Sequence, residues 1–177
     1  YLQKTLKINQ VSTQSFFVYS SVTDKVLKSF FAVFIIFQLV FPFRSLAYPN
    51  ELFWTEEGFR FSWRVMLMEK AGYTSFIITD AKTKQKFRVN NQEFLTAFQE
   101  KQMSFQPDFI LEYAHFLRDY YALKGVFQPE VRVESYVALN GRSSELFIDP
   151  NINLSNEKES FKHKTWILSF NDNILGL

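Results

Sequence analysis

Between Lys28 and Arg44 the chain runs fifteen residues, SFFAVFIIFQLVFPF, without a charge. Any fold must either bury this run or give it lipid. As a helix it reaches about 22 Å, short of a hydrocarbon core of roughly 30 Å. Lys28 and Arg44 can snorkel, and Val26, Leu27, Leu46, Ala47 and Tyr48 extend the apolar span. Counted over 26–48, the length suffices. Phe30, Phe31, Phe34 and Phe37 cover most of the helix circumference, which suits lipid better than a one-sided core. Pro42 near the end is tolerable there. The pattern predicts a transmembrane helix over 26–48. The competing reading is the core helix of a soluble α+β domain.

Charge divides the chain at this run. Residues 1–28 carry Lys4, Lys7, Lys25 and Lys28 against Asp24, a net of +3, whereas residues 49–177 carry 15 basic and 17 acidic side chains. The lysine cluster predicts that the N-terminal side is cytoplasmic and that 49–177 is extracytoplasmic. Segment 1–22 has no cleavage pattern before the apolar run and does not read as a secretory signal. Residues 1–25 read as a cytoplasmic-side segment following earlier spans of a longer, multi-pass protein. An overall charge of +2 gives no argument for nucleic acid. The absence of cysteine excludes disulfide scaffolds and thiolate chemistry, and two histidines cannot build a His-rich metal site alone.

Beyond the run the pattern is mixed. Residues 60–69 alternate like a strand, with Phe61, Trp63, Val65 and Leu67 on one face. Ala71-Gly72 reads as a turn, 73–79 as a second strand, and 80–85 as a polar connection to a third strand over 86–89. Asn90-Asn91 caps a short helix over 92–100. Pro107 and Asp108 open a long helix to about Lys124, with Gly125 at its C-terminal cap. Residues 131–139 alternate again, Asn140-Gly141 is a strong hairpin signal, and 143–148 returns as the partner. A last short strand is expected over 164–170. The fold class is α+β: one transmembrane helix, then antiparallel hairpins with one long helix.

No self-contained catalytic motif is present: no Gly-rich phosphate loop, no HExxH, no Gly-x-Ser-x-Gly. Glu56-Glu57 read as a solvated turn, since sequence neighbours point apart. Lys82, Lys84 and Lys86 read as a solvated sheet edge, His115 as a helix-face histidine and His163 as a surface residue. The segment Trp54–Met68 is denser in chemistry, setting Phe59, Phe61 and Trp63 around Arg60 and Arg64. Arginine forks bind carboxylates bidentately, and aromatic faces hold a peptide or flat ring. The plain alternative is an interfacial aromatic belt with a core strand.

Several features of 26–168 occur together in one family. Gln38, Leu39 and Pro42 close the apolar run, and Trp54 follows. Phe59, Phe61, Ser62 and Trp63 then form an aromatic-x-aromatic-Ser-Trp segment. A hairpin ends in Ile148-Asp149-Pro150, and Thr165-Trp166 follows. In order and spacing these resemble the junction and outer domain of vitamin K-dependent gamma-glutamyl carboxylases, in the cysteine-free form of bacterial membrane homologues.

The resemblance implies a membrane enzyme that oxidises a reduced quinone, vitamin K hydroquinone or similar, with O2. The resulting base removes a γ-proton from a glutamate-containing peptide or protein, and CO2 adds to the carbanion. No metal is implied. The family's catalytic lysine belongs to earlier membrane segments, so no catalytic residue is expected here. The family's glutamate-recognition segment falls on 57–68, which implies substrate-side roles for Phe59, Phe61, Ser62, Trp63 and Met68; Arg60 and Arg64 join them on their charge, not on the resemblance. Trp63 matches the family Trp, and Phe59 and Phe61 stand at Tyr positions. Met68 stands where animal enzymes have His, and Arg60 and Arg64 stand where the family has Gly and Asp. The arginines' charge suits a substrate carboxylate. The alternative function is a non-catalytic, membrane-anchored binding or assembly domain.

Overall fold

The structure, a computed structural model, describes residues 20–64 and 68–172. The chain divides into two units, at Leu39 and Val40. In the first, helix α1 (Ser21–Val40) starts five residues earlier than expected from the apolar run. Ser20 supplies the reason, accepting from the Thr23 amide as an N-cap, and a Lys28–Asp24 pair at 2.6 Å braces the first turns. Twenty α-helical residues span about 30 Å, and no side chain of α1 is buried. The helical stretch Ser21–Ala47 is long and apolar enough to cross a membrane.

In the second unit a 3-10 segment (Phe41–Ala47) leads to a single turn of helix, α2 (Leu52–Thr55). The sheet follows, formed by β1 (Lys70–Thr79), β2 (Lys86–Arg88), β3 (Glu130–Leu139) and β4 (Glu145–Leu146) in the order β2-β1-β3-β4. Strands β1 and β3 pair antiparallel along their whole length, from Lys70 opposite Leu139 to Thr79 opposite Glu130. This register puts Gly72, Thr74, Phe76 and Ile78 on the same face as Val131, Val133, Ser135, Val137 and Leu139. The core sits there, under α3 (Ala97–Met103) and α4 (Pro107–Leu123). The opposite face carries Tyr73, Tyr136 and an Arg88–Glu134 pair in solvent.

The long helix matches its signals. Pro107 occupies the first turn, Ile110, Leu111, Ala114 and Leu117 are buried, and Gly125 at φ +93° completes a Schellman closure. There the Val126 and Gly125 amides donate to the Tyr121 and Ala122 carbonyls. Asn140 and Gly141 both take positive φ, as the hairpin turn requires.

Five expectations are corrected. The strand expected over 60–69 is not there: 57–61 is a turn and 68–69 is irregular, while 65–67 lie outside the described residues. Its backbone groups are used locally, since the Phe59 carbonyl accepts from the Ser62 amide and hydroxyl. Phe61 is also left-handed at φ +63°. Ala71-Gly72 lies inside β1, because Gly72 lets the Ser104 backbone come in against the strand; a Cβ there would lie 2.4 Å from the Ser104 carbonyl oxygen. The helix expected over 92–100 divides into a 3-10 turn (Asn91–Glu93) and α3, which starts after a Thr96/Gln99 capping box. The partner of β3 shrinks to β4 (Glu145–Leu146), at the edge of the sheet opposite β2 (Lys86–Arg88). The last strand reduces to one bridge, Ile167 with Ile148. Gly72→Ala should therefore cost about 2 kcal/mol, read as a lower unfolding midpoint of the detergent-solubilised chain; an unchanged midpoint would mean that α3 does not seat on β1 as described.

Candidate functional site

The turn that follows α2 is built from three left-handed residues: Glu56 (φ +58°), Gly58 (+75°) and Phe61 (+63°). Gly58 is needed twice over, since a Cβ would also meet the Ser45 backbone at 2.8 Å. Non-glycine residues in this region store strain that their surroundings must hold. Three sets of contacts hold it.

The first is Lys70. It lies at the end of the inner face of β1, and its ammonium is buried among Trp54, Glu56 and Phe147. It donates to the Trp54 carbonyl and to Glu56 Oε1, both at 2.8 Å, and lies 5.0 Å from the Phe147 ring centroid. Burial lowers its pKa below the ordinary 10.5, against the raising influence of Glu56 and Asp108. The second is Glu57, whose side chain is only 2% exposed. Its carboxylate accepts from His163 Nδ1 at 2.9 Å and from the Lys164 amide. A carboxylate only accepts, so Nδ1 carries the proton. The third is Arg44, which donates to the Arg60 carbonyl at 2.9 Å. Its guanidinium lies 4.6 Å from the Phe41 ring centroid and 5.5 Å from that of Phe161.

Between these contacts is a cavity of about 230 Å3. Arg44, Tyr48, Glu56, Glu57, Arg60, Asp108, Glu159, Phe161, Lys162 and Lys164 line it. Glu56 and Glu57 thus do point apart, but they are not solvated: one meets Lys70 and the other is buried on His163. His163 is exposed, as expected of a surface residue, but its Nδ1 is engaged by Glu57. His115 makes an ordinary bond to the Glu157 carbonyl, and Lys82, Lys84 and Lys86 are exposed.

The residues singled out from sequence do not form one strand face. Phe59 packs on Phe53 at the edge of the core. Arg60 pairs with Asp108 and lies over the Phe109 ring. Ser62 turns back to the Phe59 carbonyl. Phe61 and Trp63 stand 78% and 63% exposed, against Phe41 and Phe43 respectively. Arg64 is exposed, makes no ion pair among the described residues, and lines a shallow polar recess with Glu51, Phe170 and Asp172. Met68 joins Phe59, Phe105 and Phe109 around an apolar recess that Arg60 also reaches. Sequence reasoning missed Lys70, Glu57 and Arg44 as supports. Reading the β1 alternation backwards from Ile78 would have put Lys70 on the core face. Among the described residues no cluster of three or more metal-ligating side chains occurs.

Lys70→Met should lower stability by about 3 kcal/mol, because it strands Glu56 and the Trp54 carbonyl. The depressed pKa also fixes a sign. Below the unfolded value of 10.5 the native chain binds fewer protons at this site, so its contribution grows as pH rises toward 10.5 and is lost as pH falls through the folded pKa. Subtracting the Lys70→Met stability–pH curve from that of the parent chain, over pH 8 to about 10.5, should give a rising difference; a flat one would contradict the burial.

A family model described as "Vitamin K-dependent gamma-carboxylase, lumenal domain" matches residues 23–173. No curated protein and no solved structure matches the chain. With the apolar helix, the match fits a membrane protein with an extracytoplasmic domain and a carboxylase-related role.

Proposed function

The chain belongs to the vitamin K-dependent gamma-carboxylase lumenal-domain family, and from this we propose that it is the substrate-facing part of a membrane carboxylase that adds CO2 to peptide glutamate. One observation carries the reading. The 56–63 turn is fastened from behind by Lys70, His163 and Arg44, yet it holds two large aromatic side chains, Phe61 and Trp63, in the open. Fixed, exposed apolar side chains mark a surface that something else covers. A peptide lying on these rings would bring its glutamate within reach of an arginine fork. Arg64 is the better fork, because Arg60 is already neutralised by Asp108. Phe59 and Met68, with Phe105 and Phe109, give the neighbouring side chains of the peptide an apolar recess.

In this reading a base takes the γ-proton of the bound glutamate and the carbanion adds CO2. The family's reduced quinone and O2 supply the driving oxidation. The residues of this chain do not fit that half of the chemistry. Lys70, the buried lysine among the described residues, gives its ammonium to Trp54 and Glu56, and the cavity beside it is lined by charged groups, a poor seat for a lipidic ring. Quinone handling and the base are therefore assigned outside this chain. What these residues contribute is orientation of the acceptor and exclusion of water, which would quench a carbanion. The reading keeps the Lys-rich 1–28 on the cytoplasmic side and 49–177 outside.

The test uses the protein in its membrane with reduced quinone, O2 and labelled bicarbonate, counting label fixed into glutamate-containing peptides. Trp63→Ala and Arg64→Ala should each raise the peptide KM by about tenfold or more. Unchanged KM and kcat in both variants would remove the substrate role of the turn. A folded protein that fixes no label with several quinones and peptides would favour the anchored binding domain.

A further inference from the structure

Four carboxylates line the charged cavity, and each has its own basic partner. Glu56 pairs with Lys70, Glu57 with His163, Asp108 with Arg60, and Glu159 with Lys164. Two other cations on the same wall, Arg44 and Lys162, make no ion pair among the described residues. Arg44 spends one nitrogen on the Arg60 carbonyl, and its Nε–H is buried without an acceptor. An unsatisfied buried donor costs about 1–3 kcal/mol. The cavity is thus short of one acceptor and of negative charge.

The setting narrows the kind of anion. Arg44 is the first charged residue after the uncharged run 29–43, where a chain leaving hydrocarbon meets phosphate headgroups. Phe161, on the cavity wall, is 78% exposed and lies 5.5 Å from the Arg44 guanidinium. A solvated carboxylate or free phosphate has no use for such an exposed ring, whereas an acyl chain does. We propose that this cavity binds the phosphate of an anionic phospholipid. Arg44 Nε–H and the Lys162 ammonium meet its oxygens, and Phe161 lies against the chains. The proposal does not rest on the carboxylation reading and survives its failure, although Arg44 also holds the turn that carries Phe61 and Trp63.

The test follows thermal unfolding of the full chain in neutral detergent. The additions are dihexanoyl-phosphatidylglycerol, dihexanoyl-phosphatidylcholine, inorganic phosphate, or a glutamate-containing peptide. Phosphatidylglycerol should raise the midpoint saturably, and the other three should not. Lys162→Gln should leave the lipid-free midpoint unchanged, since the side chain is exposed, and weaken the apparent lipid affinity about fivefold, the worth of one cation near an anionic surface. Arg44→Gln should abolish the shift. If loss of its bond to the Arg60 carbonyl unfolds that variant, Lys162→Gln carries the test alone. Equal shifts from inorganic phosphate, from the peptide or from phosphatidylcholine overturn the proposal, as does an undiminished lipid shift in Lys162→Gln.

Discussion

An ammonium buried at the end of a strand has to be answered by oxygen atoms brought to it, and Lys70 imposes this on the chain around it. The ten-residue β1–β3 pairing fixes where Lys70 emerges on the core face. The Trp54 carbonyl and Glu56 must come to that point, which fixes the end of α2 and the start of the turn. Glu56 meets the lysine from a left-handed backbone, Gly58 turns against Ser45, and Phe61 is left facing solvent. The irregular surface is thus referenced to the most regular part of the molecule. Glu57 and Arg44 add anchors from the far end of the sequence and from the 3-10 segment. A turn held from three sides keeps exposed aromatic rings in fixed positions without a strand or helix beneath them.

What could be read in advance followed from local rules. The long helix carries Pro at its start, an apolar stripe and a closing Gly. Strand β3 alternates cleanly, and Asn140-Gly141 supplies two positive φ angles. Each of these signals needs only neighbours in sequence. The 60–69 segment alternates too, yet it does not become a strand. The backbone decides against a strand: the Phe59 carbonyl is taken by the Ser62 amide and hydroxyl, and the Arg60 carbonyl by Arg44, sixteen residues away. The candidate substrate residues were legible as a dense aromatic and basic stretch. Their supports were not. Glu57 and His163 are 106 residues apart, and nothing local distinguishes a buried Glu-Glu pair from a solvated one.

The same long-range pairing decides what the surface can attract. Residues 49–177 carry more acid than base, the wrong balance for a domain offered to a carboxylate or phosphate. The acids nearest the turn are withdrawn from play. Glu57 is buried on His163, Glu56 is tied to Lys70, and Asp108 to Arg60. Paired charges present little field beyond a few ångströms in salt, so the local potential is set by the cations left over, not by the total. Those are Arg64, which shares its recess with Glu51, and Arg44 and Lys162 at the charged cavity. A net-acidic domain can therefore carry two basic sites, and the pairs that neutralise its carboxylates are the same contacts that hold the turn in shape. Breaking one of them would at once loosen the aromatic surface and release a negative charge beside it, so recognition and stability in this region are expected to fail together.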